Sequence, residues 1–149
     1  MNEIRKAAPT DASAMIELYS HFQSTPVQEA HQDIVLWQEK LAKFQSDNKY
    51  HILVFDKSGK AVSTVTLIII ENLTHNLTPY ALIENVVTLP KHRQEGCASA
   101  LLQHAIKLAK DKGCFKVMLM TGSNKESTLN FYRKNGFIQD KTAFQIRFR

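Results

Sequence analysis

The sequence predicts a single mixed α/β domain: a twisted, mostly antiparallel central sheet of six to seven strands, flanked by about four helices. Three observations predict it. The chain has 149 residues with 44% apolar and 22% charged composition, which suits one globular core. Long β-branched runs in the first half are separated by only four turn residues. In the second half a strongly amphipathic helix lies between two β-branched runs, the pattern of a strand–helix–strand crossover.

Ile4 to Ala8 reads as a first strand, and Pro9-Thr10-Asp11 as a helix start. Ala14, Ile16, Leu18, Tyr19 and Phe22 give the apolar face of a first helix, which Pro26 breaks. Ile34, Trp37, Leu41 and Phe44 recur at three- and four-residue intervals, a second helix. Tyr50–Asp56 and Ala61–Ile70 are strands joined through Lys57-Ser58-Gly59-Lys60 as a hairpin. A polar loop covers Glu71–Pro79, and Tyr80–Leu89 is a further strand ended by Pro90. Ala98, Leu101, Leu102, Ala105, Ile106 and Ala109 form one stripe of a third helix, with Gln103, His104, Lys107 and Lys110 outside it. Phe115–Met120 is a strand, Lys125–Asn135 a short helix, and Phe137–Arg149 holds one or two closing strands.

The formal charge of +5 is unevenly placed. Residues 1–90 hold 7 Lys/Arg and 10 Asp/Glu, a net of −3, whereas residues 91–149 hold 12 and 4, a net of +8. A basic half asks which anion it holds. No dense basic run interleaved with aromatics accompanies it, so nucleic acid is an unfavoured partner. Two cysteines exclude a disulfide framework, and no His/Cys/Asp spacing suggests a metal. The longest apolar stretch, Val62–Ile70, is broken by Ser63, Thr64 and Thr66 and is far short of a membrane span. No charged-then-apolar leader opens the chain, so the two Asn-Leu-Thr triplets at 72 and 76 read as coincidence and a soluble, cytoplasmic protein is expected.

The chemistry concentrates where the strand Ile83–Leu89 leads into Arg93-Gln94-Glu95-Gly96-Cys97-Ala98 and a helix begins. A loop there presents unpaired backbone N–H groups at the positive end of a helix dipole. Small residues such as Gly96 and Ala98 let a phosphate approach that backbone. The glycine spacing is that of neither the Rossmann fingerprint nor the Walker loop, which argues against dinucleotides and nucleotide hydrolysis.

Together with Phe131-Tyr132-Arg133-Lys134-Asn135-Gly136-Phe137 further on, this loop resembles the signature of the GNAT superfamily of acetyl-CoA-dependent N-acetyltransferases. The family pattern is Gln/Arg-x-x-Gly-x-Gly/Ala after a strand, then an aromatic-Tyr-x-x-x-Gly-Phe segment about forty residues later. The order of elements from Ile4 onward is similar too. Two positions depart from the pattern: Gln94 stands where glycine is frequent, and Lys125 where an asparagine is frequent, with Asn124 one place earlier.

The resemblance implies direct transfer of an acetyl group from acetyl-CoA to an amine. It implies that Val86, Val87, the loop from Arg93 to Ala98, Asn124, Phe131 and Tyr132 hold the cofactor, and that no metal takes part. Tyr132 matches the family's general acid, although a packing role on its helix competes. Glu84, on one face of its strand with Leu82 and Val86, is the candidate base, against the alternative of a structural carboxylate paired with a Lys or Arg. Cys97 fills a packing slot rather than that of a nucleophile. His31 and His75 could touch substrate, but solvated loop histidines are commoner; Trp37 is core or pocket wall.

The acceptor is expected to be a primary amine of a small molecule, met mainly by residues 20–38 and the Glu71–Pro79 loop. The acidic first half favours a cationic amine. The competing readings are a basic nucleic-acid-binding module and a CoA-sensing regulator on an inactive acetyltransferase fold. A homodimer is left open.

Overall fold

The computed structural model describes residues 1–22 and 33–148. Among them, five strands form one sheet in the order β1-β2-β3-β4-β5: β1 (Asn2–Lys6), β2 (Tyr50–Lys57), β3 (Lys60–Ile70), β4 (Tyr80–Thr88) and β5 (Val117–Leu119). The first three pairings are antiparallel and the last, β4 with β5, is parallel. Five helices accompany them: α1 (Ala12–Tyr19), α2 (Ile34–Gln45), the single turn α3 (Thr74–Leu77), α4 (Cys97–Asp111) and α5 (Glu126–Lys134). The Pro26 break and His31 lie outside the described residues.

Strand alternation sorts the core into two layers. Ile52, Val54 and Val62 point to one face, where Met15 and Leu18 of α1 and Leu41 of α2 cover them. Leu53, Val65, Leu67 and Ile83 point to the other, where Leu101, Leu102, Ala105 and Ala109 of α4 cover them. The stripe expected for α4 is the buried one, and its polar residues Gln103, His104 and Lys107 are exposed. The β2–β3 hairpin turns at Ser58 (φ 52°) and Gly59 (φ 90°), two left-handed residues whose twist matches that of the strands.

Three expectations are corrected. Among the described residues the sheet has five strands rather than six to seven, because residues 138–148 form none and stay exposed. β5 is three residues long rather than six. The loop from Glu71 to Pro79 contains α3, where His75, Asn76 and Leu77 all have positive φ, a left-handed turn. His75 is held there by stacking on Phe115, ring centroids 3.9 Å apart, and its carbonyl accepts the Thr78 amide at 3.2 Å.

Candidate active site

β4 positions the site because its two edges are treated differently. Toward β3 it stays paired as far as Thr88, which faces Ser63. Toward β5 it is paired only at Ala81, Leu82 and Ile83. Among the described residues no strand lies beside that edge from Glu84 onward. The strands therefore part at Glu84, leaving backbone N–H and C=O groups available to a ligand.

A bulge sits at the same place. The β3–β4 register slips by one between Thr66↔Glu84 and Thr64↔Val87, and Asn85 takes φ 55°. Asparagine tolerates this left-handed conformation better than most residues. The extra residue reverses the alternation: Glu84 shares the α1/α2 face with Thr66 and Val87, while Val86 turns to the opposite face and packs against the α4 layer. The expected grouping of Glu84 with Val86 on one face is thus corrected. Ser63 repairs the interrupted ladder, donating from Oγ to the Val87 carbonyl at 3.1 Å and sharing a bond of 2.7 Å with Thr88 Oγ1.

On the α1/α2 face lies a cavity of about 620 Å³. Tyr19, Trp37, Phe44, Tyr50, Thr66 and Asn85 contribute to its walls. Phe44 and Tyr50 stack at 4.3 Å, Tyr19 and Trp37 meet at 5.9 Å, and Lys40 Nζ lies 5.3 Å from the Phe44 ring centre. Burial pushes the Tyr19 hydroxyl up, and the nearby Thr66 and Thr64 hydroxyls oppose the shift. Burial also pushes the Tyr50 hydroxyl up, and the negative charge of Glu84 adds to the shift. Glu84, half-buried, therefore stands electrostatically against an aromatic wall of this cavity.

At the far end of β4, Arg93, Gln94, Glu95 and Gly96 are exposed, and α4 begins at Cys97. Gln94 (φ 62°) and Gly96 (φ 81°) are both left-handed, and the Gly96 carbonyl takes the Ala100 amide at 3.0 Å as the first helical bond. The amides of the first turn, at Cys97, Ala98 and Ser99, have no carbonyl one turn earlier in the helix to bond. Fifteen residues of helix stand behind them. A carboxylate in such a cradle would oppose an anion, but Glu95 is drawn aside by Lys57 of the hairpin and by His92 Nδ1 at 3.1 Å. The hydrogen bond from Lys57 holds the Glu95 carboxyl below its usual range. Arg93 Nε donates to the Thr88 carbonyl at 3.4 Å, which ties the loop to the end of β4. The loop's shape and charge fit a pyrophosphate-bearing group such as coenzyme A.

Tyr132 lies on α5, half-buried in the α4 layer, with Phe131 at 5.2 Å and Phe137 edge-on at 6.2 Å. Burial alone pushes its phenol up. Asn135 fastens α5 to the start of α4: its Nδ2 donates to Ser99 Oγ at 3.3 Å, and Gln103 Nε2 donates to its carbonyl at 3.1 Å. Cys97 is 2% exposed in the α1/α2 layer, and burial pushes its thiol up, away from the thiolate a nucleophile needs. Asn124 and Lys125 are exposed, and Ser123 Oγ accepts the Lys125 amide at 3.3 Å where α5 begins. Among the described residues no group of three or more His, Cys, Asp or Glu could hold a metal, and no helix is long and apolar enough to cross a membrane.

Sequence reading did not find Tyr50, Thr66, Asn85, Lys57, Ser99 or Asn135. Thr66 was visible only as a polar break in an apolar run, and an asparagine inside a β-branched run was the sole mark of the bulge.

Known proteins resemble this chain in sequence and in fold. A glucosamine 6-phosphate N-acetyltransferase of Trypanosoma brucei brucei is 27% identical over 135 residues, covering 91% of this chain and 88% of that protein. The solved structure of a candidate acetyltransferase from Agrobacterium tumefaciens str. C58 is 40% identical with TM-score 0.84, over 97% of this chain and 99% of that one. A transcriptional regulator from Bacillus halodurans C-125 superposes with TM-score 0.89 at 23% identity, over 99% and 100% of the two chains, a likeness of fold alone. The profile of the acetyltransferase (GNAT) family matches residues 12–137, and the chain belongs to that family.

Proposed function

We propose that the protein is an N-acetyltransferase that moves an acetyl group from acetyl-CoA directly to a primary amine of a small, cationic molecule. The observation that carries this reading is the double use of β4. One edge opens beyond Ile83 and runs on to the anion cradle, while Asn85, at the bulge, lines an acceptor-sized cavity. Acetyl-CoA supplies an acetyl group already activated as a thioester. The loop from Gln94 to Ala98 would hold its pyrophosphate, and the open backbone of β4 around Val86 and Val87 its extended arm.

Glu84 would take the proton that an alkylammonium must lose, since such groups have a pKa of about 10 in water. Tyr132, kept protonated by burial, would give its proton to the departing thiolate, releasing it as the thiol. The acceptor's charge would rest on the cavity's aromatic rings and on Glu39 and Glu84, in competition with Lys40 and Lys43, which line the same cavity.

The test is thiol release from acetyl-CoA across a panel of polyamines, aminoglycosides, free amino sugars and amino-sugar phosphates. Turnover of unphosphorylated cationic amines, slowed at least 10-fold by Glu84→Gln, is the expected result. Turnover of amino-sugar phosphates alone would overturn the acceptor class. A thermal shift from acetyl-CoA without turnover of any amine would overturn the enzyme reading in favour of a sensor.

A further inference from the structure

The loop proposed to hold a pyrophosphate carries an anion of its own. Glu95 is the only acidic residue between Glu84 and Asp111, and it stands one place before Gly96, the N-cap of α4. A free carboxylate there would find partners at once. Negative charge is stabilised at a helix N-terminus, and carboxylate oxygens accept the amides of the first turn. Glu95 and a pyrophosphate are therefore rivals for the same amides, those of Ala98 and Ser99.

The carboxylate is held from another part of the chain. Lys57 Nζ donates to Glu95 Oε2 across 38 positions of sequence, and His92 Nδ1 meets the same oxygen at 3.1 Å. Lys57 is the last residue of β2, and the turn that follows it is pinned. The Ser58 amide donates to the Met1 carbonyl at 3.0 Å, and the Gly59 amide to Asp56 Oδ1 at 2.6 Å. Lys60 faces Lys57 across the turn but pairs with Glu17 at 2.8 Å, so the two lysines serve different carboxylates. Only 27% of the Lys57 side chain lies in solvent, against 48% for Lys60. A partly exposed ion pair adds little to folding stability. Its effect lies instead in where it keeps a charge. Both charges reach Cys97, the first residue of α4, where Glu95 pushes the thiol up and Lys57 pulls it down.

We infer, on the reading of this loop as the acetyl-CoA cradle, that Lys57 is a positioning residue of the cofactor site. It keeps the Glu95 carboxylate off the first turn of α4, so that the incoming pyrophosphate meets free amides. Without Lys57, a single hydrogen bond from His92 is left to restrain the carboxylate, which becomes an internal competitor of acetyl-CoA.

Calorimetric titration with acetyl-CoA reads the effect on the whole protein. Lys57→Met is expected to weaken binding at least about 5-fold, the scale of a carboxylate's attraction to a helix N-terminus. Lys57→Arg, which keeps the charge, should weaken it less than about 2-fold, and Glu95→Gln added to Lys57→Met should recover most of the loss. A smaller loss in Lys57→Met would overturn the inference. So would a double variant as weak as Lys57→Met, which would make Lys57 a direct contact of the cofactor or a support of the hairpin. A second readout needs no cofactor. In ¹H–¹⁵N spectra of the free protein, the Ala98 and Ser99 amide protons should move downfield in Lys57→Met and return in the double variant. Amides that stay in place would overturn the positioning role. A wild-type protein that does not bind acetyl-CoA would overturn the cofactor reading, while the amide shifts would still report whether Lys57 holds Glu95 away from α4.

Discussion

At the scale of single residues, environment decides role. Tyr132 and Cys97 are both raised by burial, yet the consequences are opposite. A buried thiol loses the ionised form that attacks, whereas a buried phenol keeps the protonated form that donates. Tyr132→Phe should therefore lower kcat by about 10²-fold with little change in the KM for acetyl-CoA, because an acid contributes to the transition state and not to binding. The wild-type alkaline limb should lie above the ordinary tyrosine value of about 10 and vanish in the variant, as read from kcat against pH. Cys97→Ala should retain kcat within about 3-fold, and a loss beyond 100-fold would restore the thiol to the mechanism. Tyr132 was legible because its neighbours Phe131, Gly136 and Phe137 form a recognisable segment. Tyr50 was not, because its partnership with Glu84 joins positions 34 apart in sequence across the sheet.

At the scale of elements, the loop before α4 concentrates backbone strain where an anion must approach. A Cβ on Gly96 would meet nothing within 4 Å, so the cost of adding one there is torsional alone. Gly96→Ala should lose about 1–2 kcal/mol from the left-handed penalty, lowering Tm by about 3–6 °C and raising the KM for acetyl-CoA. Gln94 already bears that penalty at φ 62°. Gln94→Gly should leave Tm unchanged or higher and acetyl-CoA binding intact, by thermal melting and titration calorimetry. Weaker binding would show that the Gln94 side chain, rather than its backbone, is used. The helices and the hairpin were readable from periodicity and turn chemistry, since α4 and the Ser58-Gly59 turn depend on local sequence. The bulge at Asn85 and the short β5 were not. Alternation assumes an unbroken register, and whether Phe115–Met120 pairs for three residues or six is set by how far β4 remains alongside it. Residues 138–148 show the same limit: their alternation reads as strand, but alternation does not name a partner.

At the scale of the whole molecule, the charge asymmetry of the sequence is spent differently in its two halves. Four of the ten acidic groups of the first 90 residues are committed to ion pairs rather than to the cavity. Asp11 and Asp56 hold Arg5, Glu17 pairs with Lys60, and Glu71 with Lys49. The net of −3 therefore bears on the acceptor only through Glu39 and Glu84, near a cavity that Lys40 and Lys43 also line. The Arg5 group is the strongest of these commitments. Its guanidinium bonds Asp11 through two nitrogens at 2.7 and 2.8 Å and Asp56 at 2.7 Å, clasping β1 to the turn before α1 and to the end of β2. Burial opposes ionisation of Asp11, but the hydrogen bonds from Arg5 and the Ala8 amide outweigh it, and the carboxyl lies below its ordinary 3.8. Arg5 holds Asp56 below 3.8 as well. Carboxyls lowered in the folded state bind fewer protons there than in the unfolded chain. The stability they contribute is thus complete above the unfolded value and is lost as pH falls through the folded one. Arg5→Ala should cost about 2 kcal/mol at pH 7, below the cost of breaking a fully buried pair because 27% of the Arg5 side chain stays in solvent. Urea unfolding at pH 7 and again below pH 3 should show the gap between wild type and variant closing as both aspartates take up protons. A gap of equal size at both pH values would assign the effect of Arg5 to the packing of its alkyl stem instead of its charge.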